Sequence, residues 1–195
     1  MTMAAVSLPP APPPPVAPAV TPDDLLGMEQ RGLFELVDGD LVEKPTMGLG
    51  AGKVASRLFR RIGDHAEKHG LGEAVCEISF QCFPHRPAQV RRPDIAFITA
   101  ARLVGLPDEG HIQIAPDLVV EVISPTDNVY ELDEKLADYR AAGVPLVWVV
   151  NPAGRIVRVF RPGRPIDELS AADTLGGEDV LRGFAAVVGD LLPAA

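Results

Sequence analysis

The sequence holds only two cysteines, Cys76 and Cys82. On one extended strand, six residues apart, they would stand roughly 20 Å from each other. That is too far for a disulfide, so a disulfide scaffold is excluded and a reducing, cytoplasmic setting is expected. No apolar run approaches the roughly 18 residues of a membrane helix, and no membrane association is expected. Positive charge is scarce: 18 Lys and Arg stand against 27 Asp and Glu, a net charge of −9. This balance excludes a general nucleic-acid coating protein but leaves room for a local basic groove. Two basic clusters qualify: Lys53, Arg57, Arg60 and Arg61, and Arg86, Arg91 and Arg92. The opening MTMAAVSLPPAPPPPVAPAV lacks a basic start, and its prolines exclude an apolar helix. Residues 1–20 are therefore expected to be a disordered, polyproline-like tail and not a secretory leader.

What is present is the composition of a globule. The 195 residues are 47% hydrophobic, enough for one domain over residues 21–195 with a sizeable core. No internal repeat is visible. TPDDLLGMEQ (21–30) reads as a short capped helix. FELVDGDLVEK (34–44) reads as a hairpin about Asp38-Gly39. A helix follows from about Ala51 to His69, stopped by Gly70. Strands are expected over 73–83, 90–99 and 118–124. A helix capped by Thr126, Asp127 or Asn128 then runs to about Ala142, and strands 144–151 and 155–160 follow it. This order predicts an α/β or α+β fold with a mixed sheet flanked by helices.

One residue resists burial by type. In PDLVVEVISPTDN, Glu121 sits among Leu118, Val119, Val120, Val122 and Ile123 on a strand apolar on both faces. A charged carboxylate there costs several kcal/mol unless it is paired or metal-bound. A buried Glu–Arg pair is one way out; a divalent ion is another. An ion needs a second acid. Asp117, four residues earlier on the strand, would be roughly 13 Å away and cannot share an ion with Glu121. Asp94, in RRPDIAFI, begins a different strand and converges on Glu121 if the two strands pair. On the next helix, Lys135 lies about 60–80° off the apolar stripe Leu132, Leu136, Tyr139 and Gly143. Its stem either reaches inward towards the acids or snorkels at the helix edge. Two acids holding Mg²⁺, with a lysine beside them, can activate water and offset charge on a phosphodiester.

RRPDIAF, PDLVVEVISPTDN and EKLADYRAAGVPLVWVVNP, with the ELVDGDLVE hairpin, resemble the Uma-two family of restriction-endonuclease-like proteins in the PD-(D/E)XK nuclease superfamily. The resemblance covers nearly all the chain after residue 21. It implies a restriction-endonuclease-like mixed sheet, a Mg²⁺ ion (or Mn²⁺) held by Asp94 and Glu121, and DNA as substrate. Ile123 stands where the superfamily's generic spelling has lysine, and the resemblance implies that Lys135 takes over. It also implies that Glu35 is an additional acid near the metal. Many relatives carry a histidine at the start of the first long helix, where this chain has Ala51 and Gly52.

Other signals are weaker. GLGAGK (48–53) fails as a phosphate loop: Met47 and Val54 stand where Gly and Ser or Thr are required. His65 and His69 are one helical turn apart but lack a third zinc ligand. His85 and His111 are expected in solvated loops. Arg91 and Arg92, beside Asp94, either hold a DNA backbone or form a solvated strand entry. The expectation is a Mg²⁺-dependent endonuclease acting on DNA, with Asp94, Glu121, Lys135 and Glu35 as its site and a homodimer as a plausible assembly for cutting two strands. A nuclease-derived binding or scaffold module without catalysis, and a small phosphate-ester hydrolase, are the alternatives.

Overall fold

Thr21 opens the first helix, α1 (Pro22–Leu26), through a capping box. Its hydroxyl accepts from Asp24 N, and the Asp24 carboxylate accepts from Thr21 N at 2.9 Å. The structure is a computed structural model that describes residues 20–28, 32–125 and 127–193. Apart from Val20, the expected proline-rich tail lies outside the described residues, as does Thr126. Strands β1 (Phe34–Val37) and β2 (Asp40–Glu43) form the expected hairpin. Asp38 and Gly39 both have positive φ, 51° and 91°, as a type I′ turn requires.

Helix α2 (Leu49–His69) buries Ala51, Val54, Leu58, Ile62 and Ala66, spaced at three or four residues, and so offers one apolar stripe. Gly70 ends it in the left-handed conformation, φ 62°. That stripe packs on one face of a six-stranded sheet. The strands are β3 (Gly72–Cys76), β4 (Ile95–Thr99), β5 (Leu118–Val122), β6 (Leu146–Asn151), β7 (Ile156–Phe160) and β8 (Asp167–Ser170), in that spatial order. Helix α3 (Ala100–Leu103) follows β4, and α4 (Val129–Ala141) joins β5 to β6. Only β5 and β6 run parallel; every other neighbouring pair is antiparallel. The sheet is therefore mixed, as expected. A ribbon of β9 (Thr174–Gly176) and β10 (Ala185–Val187) and helix α5 (Val188–Leu191) complete the described chain.

The two faces of β5 belong to different cores. Leu118, Val120 and Val122 pack with α2 residues Val54, Leu58 and Ile62. Val119 packs with Leu136 and Tyr139 of α4 and with Val147 and Val149 of β6. Asn128 caps α4 by accepting from Tyr130 N. Among the described residues, no helix is long and apolar enough to cross a membrane.

Two strands are only about half as long as expected, and three others are one or two residues shorter. The 73–83 strand stops at Cys76 because Glu77 takes φ 55°, a region that interrupts a strand. Cys76 and Cys82 therefore do not share a strand, and both are free thiols. The 90–99 strand is regular only from Ile95. Before it, Val90 and Arg91 form single bridges to Leu36 and Phe80. These bridges fasten the β1–β2 hairpin beside the main sheet.

Gly72 enters β3 at φ 145°, and a Cβ there would collide with the Ile98 carbonyl and the Thr99 backbone. Gly72→Ala is expected to destabilise the protein by at least about 2 kcal/mol, read as a lower urea midpoint with an unchanged slope.

Candidate active site

The site is built where β4 and β5 lie side by side. Ile95 pairs with Val120 and Ala96 with Val119. One step further in this register, Asp94 falls opposite Glu121, so both project from the sheet face that α4 covers. The Asp94 carboxylate is fixed by the neighbouring strand: its Oδ2 accepts from Val122 N at 2.7 Å. Asp94 and Glu121 are only 7% and 6% exposed.

Helix α4 supplies two groups to Glu121, one turn apart. The Tyr139 hydroxyl donates to Glu121 Oε1 at 2.6 Å, and Lys135 Nζ lies 3.7 Å from Oε2. Lys135 thus points inward and does not snorkel. Its closer partner is Glu35 Oε1, at 3.0 Å. Glu35, on the hairpin, is buried; its Oε1 also accepts from Arg92 N at 2.9 Å and its Oε2 from Arg91 Nη1 at 3.1 Å. Arg91 is shared with Asp138 of α4, whose Oδ2 accepts from Arg91 Nε at 2.6 Å and from Gln89 Nε2 at 2.7 Å. Both arginines beside Asp94 are therefore buried. Neither reading made of Arg91 from sequence holds, because its guanidinium joins the hairpin to α4. Arg92 donates from Nη1 to the Glu77 carbonyl.

Lys44, Glu77, Tyr139 and Asp138 were not singled out from sequence. Lys44 directly follows the hairpin and has its ammonium against Glu77 Oε2 at 2.7 Å, Asp94 Oδ1 at 2.9 Å and the Arg92 carbonyl at 2.9 Å. Tyr139 was legible only as part of an apolar stripe. Nothing in the local pattern marks Lys44, which meets Asp94 from 50 residues away. Two other residues sit apart from the site. Asp117 accepts from Thr99 N at 2.8 Å and from Arg102 Nη1 at 2.7 Å, and so secures the far end of β4. His111 is not solvated: it is buried, with Nδ1 at 2.8 Å from the Ser79 hydroxyl and Nε2 at 2.8 Å from the Pro22 carbonyl.

Electrostatics follow from this crowding. Burial pushes the Glu121 carboxyl up to about 7, and the charges of Asp94 and Glu35 push the same way against Lys135 and Lys44. Burial would also raise Glu35, but Lys135, Arg91 and the Arg92 amide together hold it below the ordinary range. Burial disfavours charge on Lys135 too, yet Glu121 and Glu35 outweigh it and keep the ammonium protonated. Lys44 is likewise held protonated against its burial by Asp94, Glu121 and Glu77. Burial, then Glu121, puts the Tyr139 phenol well above its usual value, so it remains a hydrogen-bond donor.

The acids open on a cavity of about 110 Å³ lined by Lys44, Met47, Asp94, Glu121, Asn128 and Lys135, among others. A single water needs roughly 10–15 Å³ by the same measure, so there is room for an ion with waters. Among the described residues, no three His, Cys, Asp or Glu side chains form a metal cage. Mg²⁺ does not need one: one or two carboxylates with retained waters suffice, and Asp94 with Glu121 fits that donor set.

Residues 22–192 match the model of a protein family, Uma2, described as "Putative restriction endonuclease". Among solved structures, the chain is similar to a putative nuclease belonging to DUF820 from Anabaena variabilis. The TM-score is 0.76 at 19% identity, covering 88% of this chain and 97% of that one. This likeness shows the fold, a mixed sheet flanked by helices. A DrdV–DNA complex aligns at a TM-score of 0.39 and 15% identity over 63% of this chain and 12% of that one, too distant to add to the argument. No curated protein matches.

The folded Glu121 carboxyl binds its proton more tightly than the ordinary 4.5 of the unfolded chain. Its contribution to stability is therefore full below about pH 4.5 and lost as pH rises to about 7. In chelator, Glu121→Gln is expected to remove this dependence. The stability of the variant relative to the parent should climb across that window by at most about 3 kcal/mol, followed by urea denaturation at stepped pH. A constant difference between pH 4.5 and 7 would refute the assignment.

Proposed function

Since the chain belongs to the Uma2 family, we propose that it is a Mg²⁺-dependent endonuclease that hydrolyses phosphodiester bonds in DNA. The observation that carries this reading is the meeting of Asp94, Glu121 and Lys135 beside one cavity, from three elements far apart in sequence. Asp94 and Glu121 would hold the ion. When bound, Mg²⁺ lowers the pKa of water and offsets charge on a phosphodiester oxygen.

The chain's own residues supply the rest. Lys135 borders the cavity as an ammonium, and its charge stabilises an attacking hydroxide or the developing phosphorane. Glu35 has both oxygens engaged, which suits a positioning residue for Lys135 better than an ion ligand. Tyr139 donates to one Glu121 oxygen and so orients the carboxylate towards the cavity. Arg91 and Arg92 are enclosed by the fold and are not assigned to the DNA backbone. The exposed basic side chains Lys53 and Arg60 on α2 fit that role better. They line a cleft with Gly48, Ser56 and Met47, and Met47 also borders the site. A homodimer would bring two such sites to opposite strands.

The second reading, a nuclease-fold binding or scaffold module, is favoured by one observation: the Lys44 ammonium already neutralises Asp94. Calorimetry with Mn²⁺ separates the two, because a scaffold needs no ion.

Plasmid cleavage in Mg²⁺ by Asp94→Asn and Lys135→Ala is expected to fall by roughly 10²-fold or more, with the circular dichroism of the parent retained. Variants that cut as fast as the parent would remove both residues from the site. Reversing charge with Lys53→Glu and Arg60→Glu together should weaken DNA binding across unrelated sequences. It should also lower the log–log salt slope by about 2; an unchanged slope would move the DNA path elsewhere.

A further inference from the structure

The Lys44 ammonium is held as a metal ion would be. Three oxygens surround Nζ within 2.9 Å: the Glu77 carboxylate, the Asp94 carboxylate and the Arg92 carbonyl. The Lys44 side chain is only 9% exposed. An ammonium donates three hydrogen bonds, and all three are used. The chain supplies this cation from the segment between β2 and α2, just before Pro45, and the cavity of the site lies directly beside it, lined by Lys44 and Pro45 themselves.

We propose that Lys44 is a tethered counter-ion for the Asp94 half of the site, and that a divalent ion enters by displacing its ammonium from Asp94. This rests on the metal-dependent reading above. The reason is that each Asp94 oxygen already accepts a strong hydrogen bond. Its Oδ2 is committed to the Val122 amide and its Oδ1 to Lys44. A divalent ion bound through Asp94 Oδ1 would sit against the positive charge of Lys44, a repulsion that even a polar interior screens only in part. The two cations therefore compete for Asp94 Oδ1. The exchange has an exit. Glu77 is 30% exposed where Asp94 is 7%, so the ammonium can follow Glu77 outward and keep one carboxylate partner. Without the ion, Lys44 keeps the acids from facing one another unpaired, which would be costly in a buried site. Fold stability and ion occupancy are thereby coupled through one side chain.

Mn²⁺ binding to the full chain by calorimetry tests this, with Lys44→Met, which keeps the length of the stem and removes the charge. Lys44→Met is expected to bind Mn²⁺ at least about tenfold more tightly than the parent, equivalent to about 1.4 kcal/mol. Lys68→Met, at the exposed end of α2, should shift affinity much less. A second measurement needs no variant: acylation of Lys44 by an amine-reactive reagent, read by mass spectrometry. Lys44 should label slowly in chelator and several-fold faster in saturating Mn²⁺, with the exposed Lys53 and Lys68 unchanged. If Lys44→Met folds and binds Mn²⁺ no more tightly than the parent, or if Lys44 stays masked while Mn²⁺ binds, displacement is wrong and the metal-dependent reading survives. If neither the parent nor Lys44→Met binds Mn²⁺, the metal-dependent reading falls, and with it the exchange; Lys44 is then a permanent resident.

Discussion

A carboxylate enclosed between a central strand and the helix that follows it is the constraint on which this structure turns. Glu121 is flanked by Val120 and Val122 and paired across β6 with Val149. Left alone, its charge would cost several kcal/mol. The fold answers by bringing donors and cations from separate elements: Tyr139 and Lys135 from α4, and Lys44 from beyond the hairpin. Each imported charge requires its own partner in turn. Lys135 takes Glu35, Glu35 takes Arg91, and Arg91 takes Asp138, which returns the chain of contacts to α4. The hairpin, the 90–92 segment and α4 are fastened to each other by this loop of opposite charges.

The β5–α4–β6 unit gives that loop its geometry. A parallel pair needs a crossover connection, and the crossover here is α4, laid over the face of β5 that carries Glu121. Lys135 and Tyr139 are four residues apart and so share a helix face, which lets both reach a single carboxylate. Antiparallel pairing with β4 fixes the remaining acid. Because Asp94 and Glu121 stand at opposed positions of one register, their relation is set by backbone hydrogen bonds and not by flexible loops. Sites on rigid elements hold their geometry well. Here the rigidity comes from strands that are apolar on both faces, packed on α2 below and α4 above.

What the sequence made legible follows the same division. Alternation in Leu118–Ile123 placed Glu121 on one face, and the helical period placed Lys135 near it; both are local rules. Asp94 followed once its strand was taken as a neighbour of β5. Lys44, Glu77 and Asp138 were illegible because nothing periodic marks them, and their roles arise only where the hairpin docks. Arg91 was misread for a related reason. A basic pair next to an acid resembles a surface feature until the bridges Leu36–Val90 and Phe80–Arg91 show that the segment runs between the hairpin and the Phe80 segment. Glu77 itself ended a strand that composition alone extends to Phe83, since no residue type in that stretch demands φ 55°. The signals missed were those of tertiary docking, and the signals caught were those of periodicity.

The two halves of the site differ in how firmly they are held. On the α4 side, Glu35 is 2% exposed and saturated by Lys135, Arg91 and a backbone amide. No group there can leave without stranding a buried charge, a loss of roughly 3–5 kcal/mol. On the Lys44 side, Glu77 reaches solvent, and burial raises its pKa despite Lys44. Glu77 can therefore move with the ammonium, and water can fill part of the space it leaves. A site with one rigid and one yielding wall can keep its geometry while exchanging its cation. The proposed divalent ion would then meet a fixed Glu121, oriented by Tyr139, and an Asp94 freed by the movement of a single side chain. Selectivity for a divalent ion over a monovalent one would follow from the same proposed exchange. A singly charged ion would only replace the ammonium like for like at Asp94, with no added charge to offset the hydrogen bond that Lys44 already donates there.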